Sequence, residues 1–319
     1  MSFFDLPARK HLVHKPVEFR NLCAEAKQRI QSVCNDRWLW QIKYDGCHGI
    51  ILKRGDYAQM YSREGNTVLS CAHILKEMVD KDYPDGAYFG EVWHMGMQFK
   101  DISGMFRRQY SDDRSKELVY KLFDYVDFRE FMCGTSPVCY GARWMELSRQ
   151  HGMRNHDGKN KVQLANTFVY SESAFESCEA GLKQLRELGH VFGTDGYVAK
   201  AYGGDWTAGD GKKGQTIKVK DHISVDLRCI GVVEGEGKFQ GMVGALVVEW
   251  QGADVTVSGG RLTNDERIKF WKLAERDDLP ADGIIDKIVE VHALGLTPDG
   301  QLREPRYQQI RHDKTEPSE

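Results

Sequence analysis

The first strongly patterned segment of the chain is an alternation of apolar and polar residues between positions 38 and 45. Its apolar series is Trp38, Trp40, Ile42 and Tyr44, and the residues between them are Leu39, Gln41, Lys43 and Asp45. A period of two is the signature of a half-buried strand, in which successive side chains point to opposite faces. The pattern therefore predicts a strand in which Lys43 and Asp45 share one face and which ends at Gly46.

Further along, apolar residues recur either at helical spacing or in alternation, which predicts a mixture of helices and short strands. Helices are expected at about 19–33, 72–79, 136–149 and 173–188, the third starting at Ser136-Pro137. Strands are expected at 48–53, 58–63, 87–93, 196–202 and 215–220. The polar segment 151–161 and the glycine-rich segment 203–214 are predicted to be loops.

From about Asp226 the pattern changes to short, alternating, β-rich segments. The expected strands span 227–233, 243–250, 254–257, 287–294 and 306–311. One helix, from the capping-box sequence Thr263-Asn264-Asp265-Glu266 to about Ala274, interrupts them. Five short strands with one helix suit a small barrel, for which an oligonucleotide-binding (OB) fold is the natural candidate. We therefore expect an α+β chain, with antiparallel sheets flanked by helices in residues 1–224 and an OB-fold barrel in residues 225–319.

Composition narrows the class of protein. The 319 residues, 41% of them hydrophobic and 29% charged, allow two domains with a core each. The sequence has no signal-peptide pattern and no apolar run of about 20 residues, so we expect no membrane segment. The eight cysteines are scattered without a Cys-x-x-Cys pair, which favours reduced thiols in the cytoplasm and argues against a zinc site.

The formal net charge of −3 argues against a protein that coats nucleic acid by bulk charge. Contacts with DNA are expected from local basic patches instead. The candidate residues are Arg9, Lys10, Lys15, Arg107, Arg108, Arg114, Lys116, Lys212 and Lys213. Each patch is also compatible with an ordinary solvated surface.

Lys43 is the strongest candidate for chemistry. A lysine on a strand face walled by aromatic side chains loses hydration, and its pKa then falls, which turns an ammonium into an amine nucleophile. The sequence Lys43-Tyr44-Asp45-Gly46 is also compatible with a strand end that carries a turn and an ion pair. The choice between the two depends on motifs elsewhere in the chain.

Six further motifs follow Lys43-Tyr44-Asp45-Gly46. They are Ser62-Arg63-Glu64-Gly65, Gly90-Glu91, Tyr120-Lys121-Leu122-Phe123-Asp124, Asp195-Gly196-Tyr197-Val198-Ala199-Lys200, Lys218-Val219-Lys220 and Arg311-His312-Asp313-Lys314. The series resembles the motifs of the covalent nucleotidyltransferases, and most closely those of compact, bacteriophage-type ATP-dependent DNA ligases. The resemblance spans nearly the whole chain, and seven motifs in series are far more specific than one.

The resemblance implies a role for each matching residue. Lys43 is the nucleophile that takes AMP, Phe123 stacks on the purine, and backbone groups near Gln41 and Ile42 select adenine. The other nucleotide-binding residues that it implies are His48, Arg63, Glu91, Lys218, Lys220, Arg311 and Asp313. The magnesium ligands that it implies are Asp195 and Glu91.

Two of these roles have a physical rationale in the strand pattern. Lys218 and Lys220 alternate with apolar residues and so share a face, where two charges can hold an α-phosphate and lower the pKa of Lys43. Glu91 shares a predicted strand face with apolar residues, where a carboxylate without a partner is costly. The alternatives are a solvent-facing pair of lysines and a solvated edge glutamate.

The chain departs from the family pattern at three positions. Asp195 stands where the family has glutamate, so a metal ion would lie closer or be reached through water. His48 stands where arginine is usual, and histidine is shorter and only partly charged at neutral pH. Phe89 replaces a common aspartate. The departures at His48 and Phe89 leave open how the sugar of the nucleotide or of the nicked strand is read, including tolerance for ribose in one strand.

The C-terminal motif, Arg311-x-Asp313-Lys314, resembles the segment with which the small domain closes over the triphosphate in this family. The alternative is a charged tail.

The resemblance implies an enzyme that seals nicks in duplex DNA as a monomer, using ATP and Mg²⁺. Lys43 takes AMP from ATP, AMP passes to the 5′-phosphate at the nick, and the 3′-hydroxyl displaces AMP. The barrel would contact the minor-groove side of the duplex, largely through phosphates. The alternatives are an RNA ligase or capping guanylyltransferase of the same superfamily, and a non-catalytic nucleic-acid binder.

Overall fold

The computed structural model describes residues 4–18, 38–154, 160–170, 194–209, 214–219, 223–276, 282–297 and 299–318. The chain divides into two compact units, Met1–Lys220 and Asp221–Glu319. The expected division at 224/225 lies four residues after this boundary, just inside the first barrel strand, which begins at Ile223. The helices expected at 19–33 and 173–188 lie outside the described residues.

The described elements of the first unit are mainly short strands. They are β1 (Val17–Glu18), β2 (Trp38–Tyr44), β3 (Cys47–Arg54), β4 (Tyr57–Ser62), β5 (Thr67–Val68), β6 (Gly86–Trp93), β7 (Val119–Val126), β8 (Thr135–Ser136), β9 (Val162–Leu164), β10 (Thr167–Tyr170), β11 (Thr194–Ala201), β12 (Trp206–Thr207) and β13 (Thr216–Val219). The helices are α1 (Ala72–Asp80), α2 (Phe99–Phe106), α3 (Phe128–Cys133) and α4 (Tyr140–Arg154).

A six-stranded sheet in the order β5-β4-β3-β6-β7-β9 is covered on both faces. On one face, α1 and α2 contribute Ile74 and Met105 to a core that includes Ile51 of β3. On the other face, α3 and the N-terminal segment pack against Ile50 and Leu52. Because both faces are buried, β3 carries a continuous apolar run instead of an alternation.

A five-stranded sheet has the order β1-β13-β11-β2-β10. Trp40 and Tyr197 pack on one face with ring centroids 6.2 Å apart. Lys43 and Lys218 lie on half-buried positions of the opposite face. The predicted strand is confirmed as Trp38–Tyr44, and it runs antiparallel to both β10 and β11. Its burial does not alternate as expected, because Leu39 and Gln41 are as buried as the tryptophans.

The described elements of the second unit form a closed barrel and one helix. They are β14 (Ile223–Glu234), β15 (Val243–Trp250), β16 (Ala253–Ser258), α5 (Asn264–Ala274), β17 (Ile288–Ala293) and β18 (Arg306–Ile310). The barrel order is β14-β15-β16-β18-β17, and Phe270 of α5 packs into its core with Leu246 and Val289. Five strands and one helix are the elements that the sequence pattern predicts.

The start of α4 differs from the expectation. The helix begins at Tyr140 and not at Ser136, and it continues to Arg154, into the segment expected to be a loop. Ser136 instead pairs with Trp206 in the two-stranded ladder of β8 and β12. The backbone N–H groups of Tyr140 and Gly141 donate to carbonyl groups of the 202–204 segment, which satisfies the first turn without a side-chain cap.

Among the helices of the described segments, none has the length and apolar character needed to cross a membrane.

The capping box at α5 sets a stability test for the second unit. The Thr263 side chain accepts from the Glu266 N–H at 3.2 Å, and the Glu266 carboxylate accepts from the Thr263 N–H at 2.8 Å. We expect Thr263→Ala to lower the free energy of unfolding by about 1 kcal/mol, because it leaves an N-terminal amide without its acceptor. Urea unfolding followed by circular dichroism measures the change. Thr263→Ser is the control, and an equal loss in both variants would contradict the capping role.

Candidate active site

The chain passes from one sheet to the other immediately after Lys43. β2 belongs to the five-stranded sheet and β3 to the six-stranded sheet, with only Asp45 and Gly46 between them. A side chain at Gly46 would place its Cβ 2.3 Å from the carbonyl oxygen of Val92 in β6. Glycine is required there because backbone approaches backbone more closely than any Cβ allows. Lys43 therefore lies at the junction of the two sheets.

A cavity of about 640 Å³ in the first unit extends along this junction. The predicted site residues that line it are Gln41, Ile42, Lys43, His48, Arg63, Glu91, Phe123 and Lys218. Strands of both sheets contribute, so residues far apart in sequence face one space. Its volume is within the range of pockets that bind small molecules and nucleotides.

Lys43 lies opposite a bulge in β11. Tyr44 pairs with Thr194 and Ile42 pairs with Tyr197, so the single residue Lys43 faces the two residues Asp195 and Gly196. Gly196 has a φ of +97°, a conformation that glycine adopts without strain. The backbone thus brings the expected metal ligand Asp195 opposite Lys43. The side chain of Asp195, and the whole of Lys220, lie outside the described residues.

His48 is held as a neutral imidazole by its surroundings. Its ring lies edge-on to two phenylalanine rings. The ring centroids are 5.5 Å apart for Phe123 and 6.4 Å apart for Phe89. Burial and then the positive charges of Arg63 and Lys200 lower the pKa of His48 to about 4. Its Nδ1 atom is buried and has no hydrogen-bond partner. The departure from arginine therefore replaces a cation with an uncharged hydrogen-bonding group beside the apolar Phe89.

Glu91 and Arg63 reach the cavity from different elements. Glu91 is half-buried on β6 and pairs in register with His48 on β3. Arg63 is exposed in the turn after β4, where its Nε atom donates to the Glu64 carboxylate at 3.1 Å. Gly65, with a φ of +88°, completes that turn. The carboxylate is thus fixed by a sheet, whereas the arginine stands at a solvent-facing rim.

Lys218 has a carboxylate neighbour that the motif does not include. β1 runs parallel to β13 and pairs Glu18 with Lys218 in register. The Lys218 Nζ atom lies 3.4 Å from a Glu18 carboxylate oxygen. A phosphate bound at Lys218 would share this ammonium with Glu18. The two-residue strand β1 gave no periodic signal, so the sequence could not reveal this pair.

A second bulge, in β7, exposes the main chain of Phe123. Phe89 pairs with Asp124 and Gly90 with Leu122, which leaves Phe123 without a ladder partner. The Phe123 carbonyl oxygen consequently accepts hydrogen bonds from three side chains. The donors are Tyr140 Oη at 2.8 Å, Lys200 Nζ at 3.2 Å and Gln41 Nε2 at 3.4 Å.

A buried ion pair supports this bulge. Arg143 of α4 donates to both oxygens of the Asp124 carboxylate, at 2.9 and 3.0 Å. Burial disfavours the charged form of Asp124, but the charges of Arg143 and Lys200 outweigh it and lower the pKa of the carboxyl below its usual value. Sequence reasoning missed Arg143 and Tyr140, and it quoted Asp124 and Lys200 in motifs without giving them roles.

The described donor atoms set limits on metal binding. They include no group of three or more histidine, cysteine, aspartate or glutamate side chains that could enclose a cation. Mg²⁺ is commonly held by one or two carboxylates together with substrate phosphates and water. Glu91 is suitably placed in the cavity for such a role. The donor set therefore fits a magnesium ion that arrives with a nucleotide.

Arg311 and Asp313 belong to the second unit, where they form an ion-pair cluster. All three guanidinium nitrogens of Arg311 donate, Nη1 to the Asp226 carboxylate at 2.8 and 3.0 Å, and Nε and Nη2 to Asp313. Lys314 donates to Asp226 at 2.5 Å. Ser318 pairs through its backbone with Asp226, so the terminal segment is docked on β14. The triphosphate-binding role of Arg311 and Asp313 stays a prediction.

Known proteins share parts of this organisation. Residues 234–311 match the family model of the DNA ligase OB-like domain. A DNA ligase of Thermococcus fumicolans is 26% identical over 307 residues, a match that covers 86% of this chain and 52% of that protein. The chain thus spans about half the length of the curated relatives it matches.

Two solved structures are similar over nearly the whole chain. The protein named Pmar-Lig_PreS3 has a TM-score of 0.72 at 21% identity, covering 95% of this chain and 68% of that one. The ATP-dependent DNA ligase of bacteriophage T7, solved in complex with ATP, has a TM-score of 0.54 at 19% identity, covering 94% and 98%. The predicted fold, a unit of mixed sheets and helices followed by an OB-like barrel, is confirmed, and so is the resemblance to DNA ligases.

The environment of His48 sets a pH test. We expect its imidazole to stay neutral down to about pH 5 and to titrate near pH 4. An unfolded histidine titrates near pH 6.5, so the stability that the neutral ring contributes is present above about pH 6.5 and is lost as the pH falls toward 4. NMR titration of the histidine ring signals measures the midpoint, and His48→Gln identifies the signal. A midpoint of about 6 or higher would contradict this account.

Proposed function

We propose that this chain is an ATP-dependent DNA ligase that seals 5′-phosphate to 3′-hydroxyl nicks through a covalent lysyl-AMP intermediate. The observation that carries the proposal is the position of Lys43. It is half-buried at the junction of two sheets, in a cavity that also presents Glu91, Phe123 and Lys218. The likeness of the fold to DNA ligases adds support.

In the first step, the Nζ atom of Lys43 attacks the α-phosphorus of ATP. A P–N bond forms, the P–O bond to the leaving pyrophosphate breaks, and the amine loses its proton. Lys43 must be neutral to attack, because an ammonium has no free electron pair. Because Lys43 lies on a strand, its side chain leaves the backbone in a fixed direction, which lowers the entropy cost of orienting the amine for attack.

Other residues of the cavity bind the parts of the nucleotide. Phe123 presents a ring on which a purine can stack, and the Gln41 side chain lies beside it on β2. Lys218 and Lys220 hold the α-phosphate. At Lys218 the phosphate replaces Glu18 as the partner of the ammonium group. Arg63 at the rim contacts the ribose or phosphates. His48 offers its Nδ1 atom to a hydroxyl group of the substrate. An uncharged imidazole binds a hydroxyl group better than it binds a phosphate.

Magnesium, held by Glu91 and Asp195 with the phosphates, would screen the charge on the leaving group.

The remaining steps act on DNA. AMP passes from Lys43 to the 5′-phosphate at the nick, and the 3′-hydroxyl then displaces it. Arg311 and Asp313 bind the triphosphate during the first step, and the barrel contacts DNA phosphates. The proposal includes action as a monomer in a cytoplasmic compartment. Contacts to phosphates make the affinity for DNA fall as salt rises.

Labelling with nucleotides tests the proposal. Incubated with Mg²⁺ and α-³²P-ATP, the protein should acquire an acid-labile label that peptide mapping locates at Lys43. Lys43→Ala should abolish the label, since no amine remains, and Lys43→Arg should do so too, because a guanidinium stays protonated. Sealing of a nicked duplex should fall by at least about a thousandfold in both variants.

The controls separate the alternatives. Labelling by GTP in preference to ATP would indicate a guanylyltransferase, and joining of RNA ends alone would indicate an RNA ligase. Lys76→Ala, at an exposed lysine of α1 that pairs with Asp80, should leave labelling unchanged. Labelling that survives Lys43→Ala would refute the assignment, and DNA binding without any adduct would indicate a non-catalytic binder.

A further inference from the structure

Lys200 is a buried lysine of the cavity to which the proposed reaction gives no role. It lies on β11, its exposed fraction is 6%, and it lines the same cavity as Gln41 and Phe123. Its Nζ atom lies 4.5 Å from the ring centroids of both Phe123 and Tyr140. The same atom donates to the Phe123 carbonyl oxygen at 3.2 Å. One side chain thus contacts both the ring and the main chain of Phe123.

The main chain of Phe123 is open to this contact because of the β7 bulge. Without a ladder partner, the residue depends on side-chain donors for the position of its backbone. Tyr140 gives the shortest of these hydrogen bonds, at 2.8 Å, and this bond holds the main chain of Phe123. Lys200 alone among the three donors also has its charge over the ring face.

The charge balance of the cluster keeps Lys200 directed at the ring. Asp124 is occupied by both arms of Arg143, so it has little capacity left for a second cation. Burial, opposed by Asp124 and aided by Arg143, lowers the pKa of Lys200 to about 8. Most molecules therefore carry the ammonium at neutral pH, where it contacts the Phe123 carbonyl oxygen and the faces of two aromatic rings.

We propose that Lys200 is a positioning residue of the nucleotide site that fixes the Phe123 ring against the purine base. The inference rests on the proposed function, because it takes the base to stack on Phe123. Lys200 covers one face of that ring, so a purine can stack only on the face that Lys200 does not cover. The lysine therefore acts through Phe123 on the base, and it makes no contribution to the phosphates.

Equilibrium binding of α,β-methylene-ATP, which cannot transfer AMP, tests the inference by calorimetry. Lys200→Met keeps the length and apolar stem of the side chain but removes its charge and donors. We expect it to weaken binding about tenfold, because the Phe123 ring loses its restraint. Lys200→Arg should restore binding to within about threefold of wild type, since it keeps a cation over the ring.

Two further measurements separate this role from others. Inorganic tripolyphosphate, which has no base, should bind Lys200→Met and wild type equally. In a Phe123→Leu background, Lys200→Met should cost less than twofold, because the ring through which it acts is gone. Parallel weakening of tripolyphosphate, or a full tenfold loss in the Phe123→Leu background, would overturn the proposal.

Lys53 supplies a matched control for removal of a buried lysine. It is 1% exposed on β3 and donates to the Gly55 carbonyl oxygen at 2.8 Å, but it does not line the cavity. Lys53→Met should leave binding of α,β-methylene-ATP unchanged. Equal losses in Lys53→Met and Lys200→Met would show a general effect on stability and refute the positioning role, as would a wild-type protein that does not bind the analogue.

The same measurements keep the two proposals apart. If wild type binds the analogue and the Lys200 variants respond as expected, but ATP gives no covalent label, the ligase proposal fails and the inference on Lys200 stands. If ATP labels Lys43 but Lys200→Met binds the analogue as wild type does, the ligase proposal stands and the inference on Lys200 fails.

Discussion

The close approach of backbone to backbone at Gly46 is the constraint on which the site depends. A Cβ there would lie 2.3 Å from the Val92 carbonyl oxygen and 2.9 Å from the Glu91 side chain. Because no atom occupies that space, the chain can leave one sheet and enter the other within two residues. An amine from the first sheet and a carboxylate from the second thereby face one cavity. Their placement is a property of packed strands, which hold side chains more rigidly than loops do.

Several polar groups beside the cavity are buried, so each needs a hydrogen-bond or ion-pair partner within the protein. Two bulges remove residues from the ladders, one opposite Lys43 and one at Phe123. The second frees a carbonyl group that would be costly to bury alone, and three side-chain donors satisfy it. The bidentate pair of Asp124 and Arg143 holds two charges beside it. Irregular strand geometry and buried polarity are thus two aspects of one arrangement.

The sequence predicted those features that depend on local pattern. The strand at 38–44 and the five barrel strands were found because apolar and polar residue types alternate along them, although the burial of β2 does not follow that alternation. The start of α4 was missed because its first amides bind carbonyls more than 60 positions away. The same limit applies to side chains: the sequence predicted the strand that carries Lys200, but the residues that contact its side chain come from α4 and β7. The roles of Lys43 and Glu91 came from the resemblance and stay predictions.

The ion-pair cluster on β14 has a thermodynamic consequence for anion recognition. Each nitrogen of the Arg311 guanidinium already has a carboxylate acceptor in the second unit. Four of its five N–H groups are committed in this way, so an incoming anion would gain one N–H of Nη2 that has no acceptor among the described residues and could gain more only by displacing a carboxylate. Binding there would be mainly an exchange of acceptors, and its selectivity would depend on how closely the shape and charge of the anion match those of the two carboxylates.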